Sequence, residues 1–531
     1  MLISDGSKEY APSKWGIILY TLFLFLLMHV WQPFVEPLSS TESLHALTAV
    51  DILSGRGAGR LIAADGNLID FPLYSLSLAI VGSFTHLTDF SCRLPQLFAI
   101  LVMTLMSGYV TARSAGHRAG LTAASVVLVS FGLGFFNPTG NTLLGAMLLS
   151  TAWFLWYRSS RVWNWNWIIV WVTALLPISC AVMAIGFKAI IFFYLPLVFL
   201  HRPLKARKRL SQYQHLIAVS IVLILFFWIK SYIFEGKVLM EIMSGDSYSM
   251  FQFLFIIAAF CCPWAFVGWP ILCMAFQSVE KTPVFNHYIR TILISVLLWS
   301  FLFSRSSENL LFLLPVFAVG TGVNYNMFLR RYYLQVRYVG RALIILTYLS
   351  TLWGGITLLL VQFKVGDYAG MHSGSVVRSF AAGCALSLLA TLLFLMKKRF
   401  MIYSCRLAVI SACFIGTVLA LKEGTTTDFD YKWHARMLVQ NVDLNKPVYL
   451  LLKREAYREA YNMRHNIINI QDTEALPGKE EVYVITNGSA PIQETRTWKQ
   501  LQTVKFPDGH LALWLGEERP ALTENYDETN D

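Results

Sequence analysis

Apolar stretches of about 20 residues, separated by short polar or basic joints, recur from residue 15 to residue 421. A helix of that length crosses a bilayer, and within lipid only helices or closed barrels satisfy their own backbone groups. The stretches are 15–34, 94–112, 119–136, 141–157, 163–185, 189–201, 214–234, 251–276, 291–303, 310–328, 342–362, 379–396 and 403–421. The expected fold class is therefore a polytopic α-helical membrane protein with about thirteen transmembrane helices. Only 14% of the chain is charged and the mean hydropathy is +0.52. An ordinary soluble domain carries about 25% charge, so a single water-facing globule is excluded. The first stretch, Trp15 to Phe34, is too long for a signal peptide and lacks a small-residue cleavage site, so it is expected to stay as a helix.

The net charge of +11 raises the question of a nucleic acid partner. The positions of the charges answer it. Loops on one side of the expected spans collect 21 basic residues, from Lys8 and Lys14 to Lys397, Lys398, Arg399 and Arg406, against three acids, Asp5, Glu9 and Glu280. The opposite loops hold nine basic and eleven acidic residues before the polar tail. This is the positive-inside pattern. It predicts a cytoplasmic N-terminus, membrane lipid headgroups as the partners of the basic loops, and no nucleic acid.

Two regions depart from the repeating pattern. Residues 35–93 form a long outer loop in which Thr41 to Leu53 has near-helical apolar spacing. Ser39-Ser40-Thr41-Glu42 supplies N-capping chemistry at its start, and Gly55, Gly57 and Gly59 stop it. Pro72 to Leu87 is read as an interfacial segment, because counting it as a span would invert every later loop. The second region is the tail. Residues 1–421 are expected to form the membrane domain and 422–531 a small soluble extracytoplasmic α/β domain. In the tail, Val448–Leu452, Ile467–Ile470, Glu481–Thr486, Gln502–Phe506 and Leu511–Leu515 read as strands, and Arg454–Tyr461 as a helix. The eight cysteines lie in or beside apolar stretches without a CxxC spacing and read as small packing residues. The outer loops bring few carboxylates and histidines together, so neither a metal nor another cofactor is expected.

Six short motifs occur in order along the outer face. Thr41-Glu42-Ser43-Leu44-His45-Ala46 with Asp51-Ile52-Leu53-Ser54-Gly55 comes first, followed by Ile69-Asp70-Phe71-Pro72-Leu73-Tyr74 and Arg93-Leu94-Pro95. Phe187-Lys188, Cys262-Pro263-Trp264, and Phe303-Ser304-Arg305-Ser306 with Leu313-Leu314-Pro315 complete the set. In order and spacing they resemble the motifs of the GT-C superfamily of membrane glycosyltransferases, in the branch of aminoarabinose transferases and protein O-mannosyltransferases.

The resemblance implies a GT-C type fold and an inverting sugar transfer from a polyprenyl-phosphate donor to a lipid, glycan or protein acceptor. Transfer would take place at the outer face of a bacterial cytoplasmic membrane. The acceptor needs a base to take its proton, and the departing phosphate needs cations. On that basis Glu42 and Asp70 are the expected catalytic acids. Lys188, Arg305, Arg56 and Arg60 are the expected phosphate-binding cations, and Tyr74 and Trp264 the expected sugar-stacking rings. Asp51 is expected on the solvated face of its helix. Where the family has an aspartate base, a lysine and a second aspartate, this chain has Thr41, Phe71 and Asn141. Those three neutral positions also fit a non-catalytic relative that binds lipid-linked sugar. A transporter or a glycan polymerase is a further alternative.

Overall fold

The computed structural model describes residues 14–30, 38–54, 73–136, 138–162, 171–202, 207–208, 210, 213, 215–217, 219–224, 248–268, 271–272, 282–364, 373–395, 403–425, 431–443, 446–451, 457–463, 467–470, 473, 476–477, 481–491, 496–506 and 509–518. The helices that organise it are α1 (Lys14–Phe25), α2 (Ser40–Leu53), α3 (Leu73–Phe84), α4 (Asp89–Ala115), α5 (His117–Leu128) and α6 (Phe131–Phe135). They continue with α7 (Gly140–Val162), α8 (Leu176–Ile185), α9 (Lys188–Phe199), α10 (Met250–Phe260), α11 (Ala265–Gly268), α12 (Pro283–Phe303) and α13 (Ser307–Gln362). α14 (Ser373–Leu395) and α15 (Tyr403–Thr425) close the bundle, and α16 (Tyr431–Leu438) and α17 (Tyr457–Met463) belong to the tail.

Six helices among the described residues are long and apolar enough to cross a membrane, and five shorter apolar helices accompany them, with a sixth over His215–Ile224. The count of thirteen separate crossings is thus not reproduced. The clearest departure is α13, where the expected spans 310–328 and 342–362 are one helix of 56 residues, about 84 Å long at 1.5 Å per residue. The basic joint between them, with Arg330, Arg331, Arg337 and Arg341, contains no proline and only one glycine, Gly340. Arginine is a good helix former, so nothing in that joint stops the helix. Conversely, the expected interfacial segment forms α3, 12 residues long, about 18 Å and short of the roughly 30 Å hydrocarbon core.

The core of the bundle is formed by α4, α5, α7 and α13. α5 lies against α4 at Gly120, where a Cβ would stand 2.6 Å from the Gly108 carbonyl oxygen. Without a hydrophobic drive between helices in lipid, such close backbone approach supplies the packing.

The tail folds into a five-stranded sheet in the order β2-β1-β3-β5-β4. Its strands are β1 (Val448–Leu450), β2 (Ile467–Asn469), β3 (Val482–Thr486), β4 (Arg496–Phe506) and β5 (Gly509–Glu518). β2, β1 and β3 pair in parallel, with α17 lying between β1 and β2 in sequence, while β4 and β5 form a hairpin. The hairpin strands are longer than the apolar runs predicted, because pairing continues through polar residues such as Thr497 and Lys499. α16 went unpredicted. The core of this unit includes Ala435, Leu438, Val439, Tyr457 and Leu513, and Leu47 and Leu44 of α2 join it.

Candidate functional site

The candidate site is built on α2. Ser39 caps the helix by the capping box that the sequence suggests: its Oγ accepts from the Glu42 N–H (3.3 Å), and Glu42 Oε2 accepts from the Ser39 N–H (2.9 Å). The same carboxylate reaches α4. Arg93 donates through Nε to Oε1 (3.2 Å) and through Nη2 to Oε2 (3.1 Å), and Gln96 Nε2 donates to Oε1 (3.0 Å). Both side chains of the ion pair are largely shielded, with 13% of Glu42 and 9% of Arg93 exposed. Burial alone would push the Glu42 carboxyl up. The Arg93 hydrogen bonds and charge, together with Ser39 and Gln96, outweigh it and hold the carboxyl below its usual range.

Four donors therefore meet a carboxylate that has about four lone-pair sites. Glu42 is expected as the base from the sequence, but no acceptor site on it is left for a substrate proton in this arrangement. Its charge instead ties α2 to α4.

The network extends inward. Gln96 also donates to Tyr74 Oη (2.9 Å), which donates in turn to the Cys92 carbonyl (2.9 Å). The Tyr74 backbone N–H donates to Asn141 Oδ1 (3.0 Å) at the start of α7. Gly140 admits the Tyr74 ring, since a Cβ there would lie 2.4 Å from it. Tyr74 is fully buried, as is Trp264, whose Nε1 donates to the Val129 carbonyl. The expectation that these rings stack on a sugar is corrected: neither has a free face, because each is fixed in the core by its own hydrogen bonds. Asp51 is likewise not on a solvated face. It is 7% exposed, turned inward on α2.

Lys188 opens α9, immediately after the turn at Gly186 and Phe187. Ile185 lies against Gly145, one turn beyond Asn141, so this turn sits at the Asn141 end of α7. Arg305 is half-buried in the 304–306 link that precedes α13, and its carbonyl accepts from the Tyr248 N–H (3.1 Å). Asn309 donates to the Ser304 carbonyl (2.7 Å) and stiffens that link. Asp70, Arg56, Arg60 and Phe71 lie outside the described residues.

Sequence reasoning passed over Gln96, Ser75 and His45 as functional residues, and took Arg93 only as part of a motif. His45 Nδ1 lies 2.9 Å from Ser75 Oγ on α3, with its ring edge-on to Tyr74 at 5.2 Å. A signal was present. Glu42 and His45 are spaced i, i+3 on one helix, as are Arg93 and Gln96 on another, and such pairs share a face. An arginine at the start of an apolar span also needs a counter-charge.

The tail closes over this constellation. Tyr461 of α17 donates to the Leu87 carbonyl (3.1 Å) and touches Cys92 Sγ (3.6 Å), next to Arg93. Lys432 pairs with Asp89 at 2.6 Å. Among the described residues no group of three or more His, Cys, Asp or Glu could hold a metal.

An apolar bundle with a capped helix at one end and a small sheet unit docked over it is a fold already seen in solved proteins. Two solved structures of ArnT from Cupriavidus metallidurans share it. The one bound to undecaprenyl phosphate superposes with a TM-score of 0.71 at 12% identity, covering 95% of this chain and 98% of that one. The apo structure gives 0.68 at 13% identity, covering 94% and 97%. No protein-family model and no curated protein sequence matches the chain.

Proposed function

We propose that this protein transfers a sugar from a polyprenyl-phosphate-linked donor to a lipid, glycan or protein acceptor at the outer face of the cytoplasmic membrane. The observation that carries this reading is the likeness, along nearly the whole chain, to an ArnT structure that holds undecaprenyl phosphate. The N-terminus then lies in the cytoplasm and the C-terminal sheet unit outside, in agreement with the positive-inside distribution of charge.

In this reading Lys188 and Arg305 hold the donor phosphate from two separate element ends, and Arg56, Arg60 and Asp70 contribute further polar groups. A lipid-borne donor enters sideways from the bilayer, so cations on short links between helices are well placed to receive its headgroup. The chemistry asks for no metal or cofactor, because proton removal and phosphate binding are supplied by side chains.

Binding of undecaprenyl phosphate to the protein in nanodiscs, followed by native mass spectrometry, tests the proposal. Lys188→Ala and Arg305→Ala are each expected to weaken binding about tenfold, the worth of one charge-assisted hydrogen bond. Undecaprenol bound as tightly as its phosphate would overturn the assignment.

Thr41, Asn141 and the saturated Glu42 favour a second reading, a non-catalytic binder of lipid-linked sugar. A protein that binds undecaprenyl phosphate yet turns over no lipid-linked sugar would establish it.

A further inference from the structure

Resting on the transferase reading, we propose that His45 is the general base of the transfer, its Nδ1–H held by Ser75 Oγ and its Nε2 open to the acceptor. In the step, the acceptor oxygen or nitrogen bonds to the anomeric carbon. The bond from that carbon to the phosphate oxygen breaks, and its electron pair leaves on the polyprenyl phosphate. The acceptor proton passes to Nε2, giving an imidazolium that later returns it to water.

Three features of α2 support this role. The first is availability: Glu42 spends its acceptor sites on Ser39, Arg93 and Gln96, whereas His45 Nε2 has no hydrogen-bond partner among the described residues. The second is orientation. Ser75 is fully buried and fixes one ring nitrogen at 2.9 Å, while Tyr74 packs edge-on against the ring. A serine hydroxyl both donates and accepts, so it serves the neutral ring and the imidazolium alike. The third is electrostatic. Glu42, three residues earlier on the same face, carries a fixed negative charge that favours the imidazolium formed during the step.

The helix is also immobilised on both sides of the ring. Ala46 and Ala49 sit in the bundle core, and Leu44 and Leu47 in the core of the tail. A base held this way meets the need for positioned proton transfer. Burial holds the imidazole at about 4, against the opposing pull of Glu42, so it is neutral and ready to accept near pH 7.

The test uses the full chain in proteoliposomes, with undecaprenyl-phosphate-linked pentoses and hexoses as donors and a membrane lipid extract as acceptor, following release of undecaprenyl phosphate. His45→Gln and His45→Asn are expected to lower kcat about 100-fold or more, with undecaprenyl phosphate binding within about twofold of wild type. Asn keeps a hydrogen-bonding atom near the Nδ1 position, so it preserves the Ser75 contact, and lipid binding reports that each variant is folded. A folded His45 variant that releases undecaprenyl phosphate at near wild-type rate overturns this inference and leaves the transferase reading standing. A wild-type protein that binds the lipid but releases none overturns both.

Discussion

Two parts of the bundle share nearly the same apolarity and behave differently. The segment His117–Phe135 has a mean hydropathy of 1.5 and its apolar stretch is 83% buried, whereas that of Gly374–Leu395, at 1.8, is only 28% buried. Val336–Gln362 matches the latter, at 1.9 and 28%. In water such a difference in burial would show as polar residues on the exposed face. In lipid it does not, because the surrounding acyl chains are as apolar as leucine. What separates the parts is a backbone-to-backbone approach and a buried ion pair in one, against neutral hydroxyl pairs in the other. The site half has the Gly120 approach and the Glu42 network, while Val336–Gln362 and Gly374–Leu395 meet through the Thr351–Ser387 and Tyr348–Thr391 hydroxyl pairs at 2.8 and 2.9 Å.

The contrast can be broken or sharpened by measurement, chiefly by thermal or denaturant unfolding in nanodiscs. Gly120→Leu should cost the most, about 3 kcal/mol or more, because the added side chain meets the Gly108 backbone; a well-folded variant would show that the approach is dispensable. Arg93→Ala should cost about 3 kcal/mol, since it strands the buried Glu42 charge. Adding Glu42→Gln should return part of that loss, and a purely additive pair would mean the two residues do not interact.

Acidification comes next. The folded state holds His45 at about 4, below the 6.5 of the free side chain, so the unfolded chain takes up the proton first. Stability should then fall by on the order of 2 kcal/mol between pH 6.5 and 4. Glu42, held below its usual range, adds a loss only below about pH 4.3. In His45→Asn the loss across the upper window should shrink, while the lower one remains.

Tyr461→Phe removes the hydrogen bond to Leu87 and should cost about 1 kcal/mol. Leu388→Ala, on an exposed face of α14, should stay within about 0.5 kcal/mol. A cost of several kcal/mol there would reveal a contact surface rather than a lipid face.

Sequence periodicity captured what is local. The cap at Ser39 and Glu42 and the strands of the tail follow from neighbouring residues. The number of helical breaks did not, since the basic stretch in α13 carries charge without a helix-stopping residue. The site was legible only as a set of motifs, because its chemistry is set by pairings far apart in the chain. Glu42 and Arg93 are 51 residues apart, and Tyr461 and Cys92 are 369 apart. Whether a carboxylate is a base or a tie depends on such partners, and hydropathy carries no record of them.

The sharing of α2 between two cores has a consequence for biosynthesis. Leu44 and Leu47 leave the ribosome well before the surfaces that receive them, around Ala435 and Tyr457, have been made. A nascent chain therefore carries an unfinished helix until those residues emerge. A ribosome that stops short of the tail leaves those leucines bare, so α2 gains its second packing partner only when the sheet unit is made.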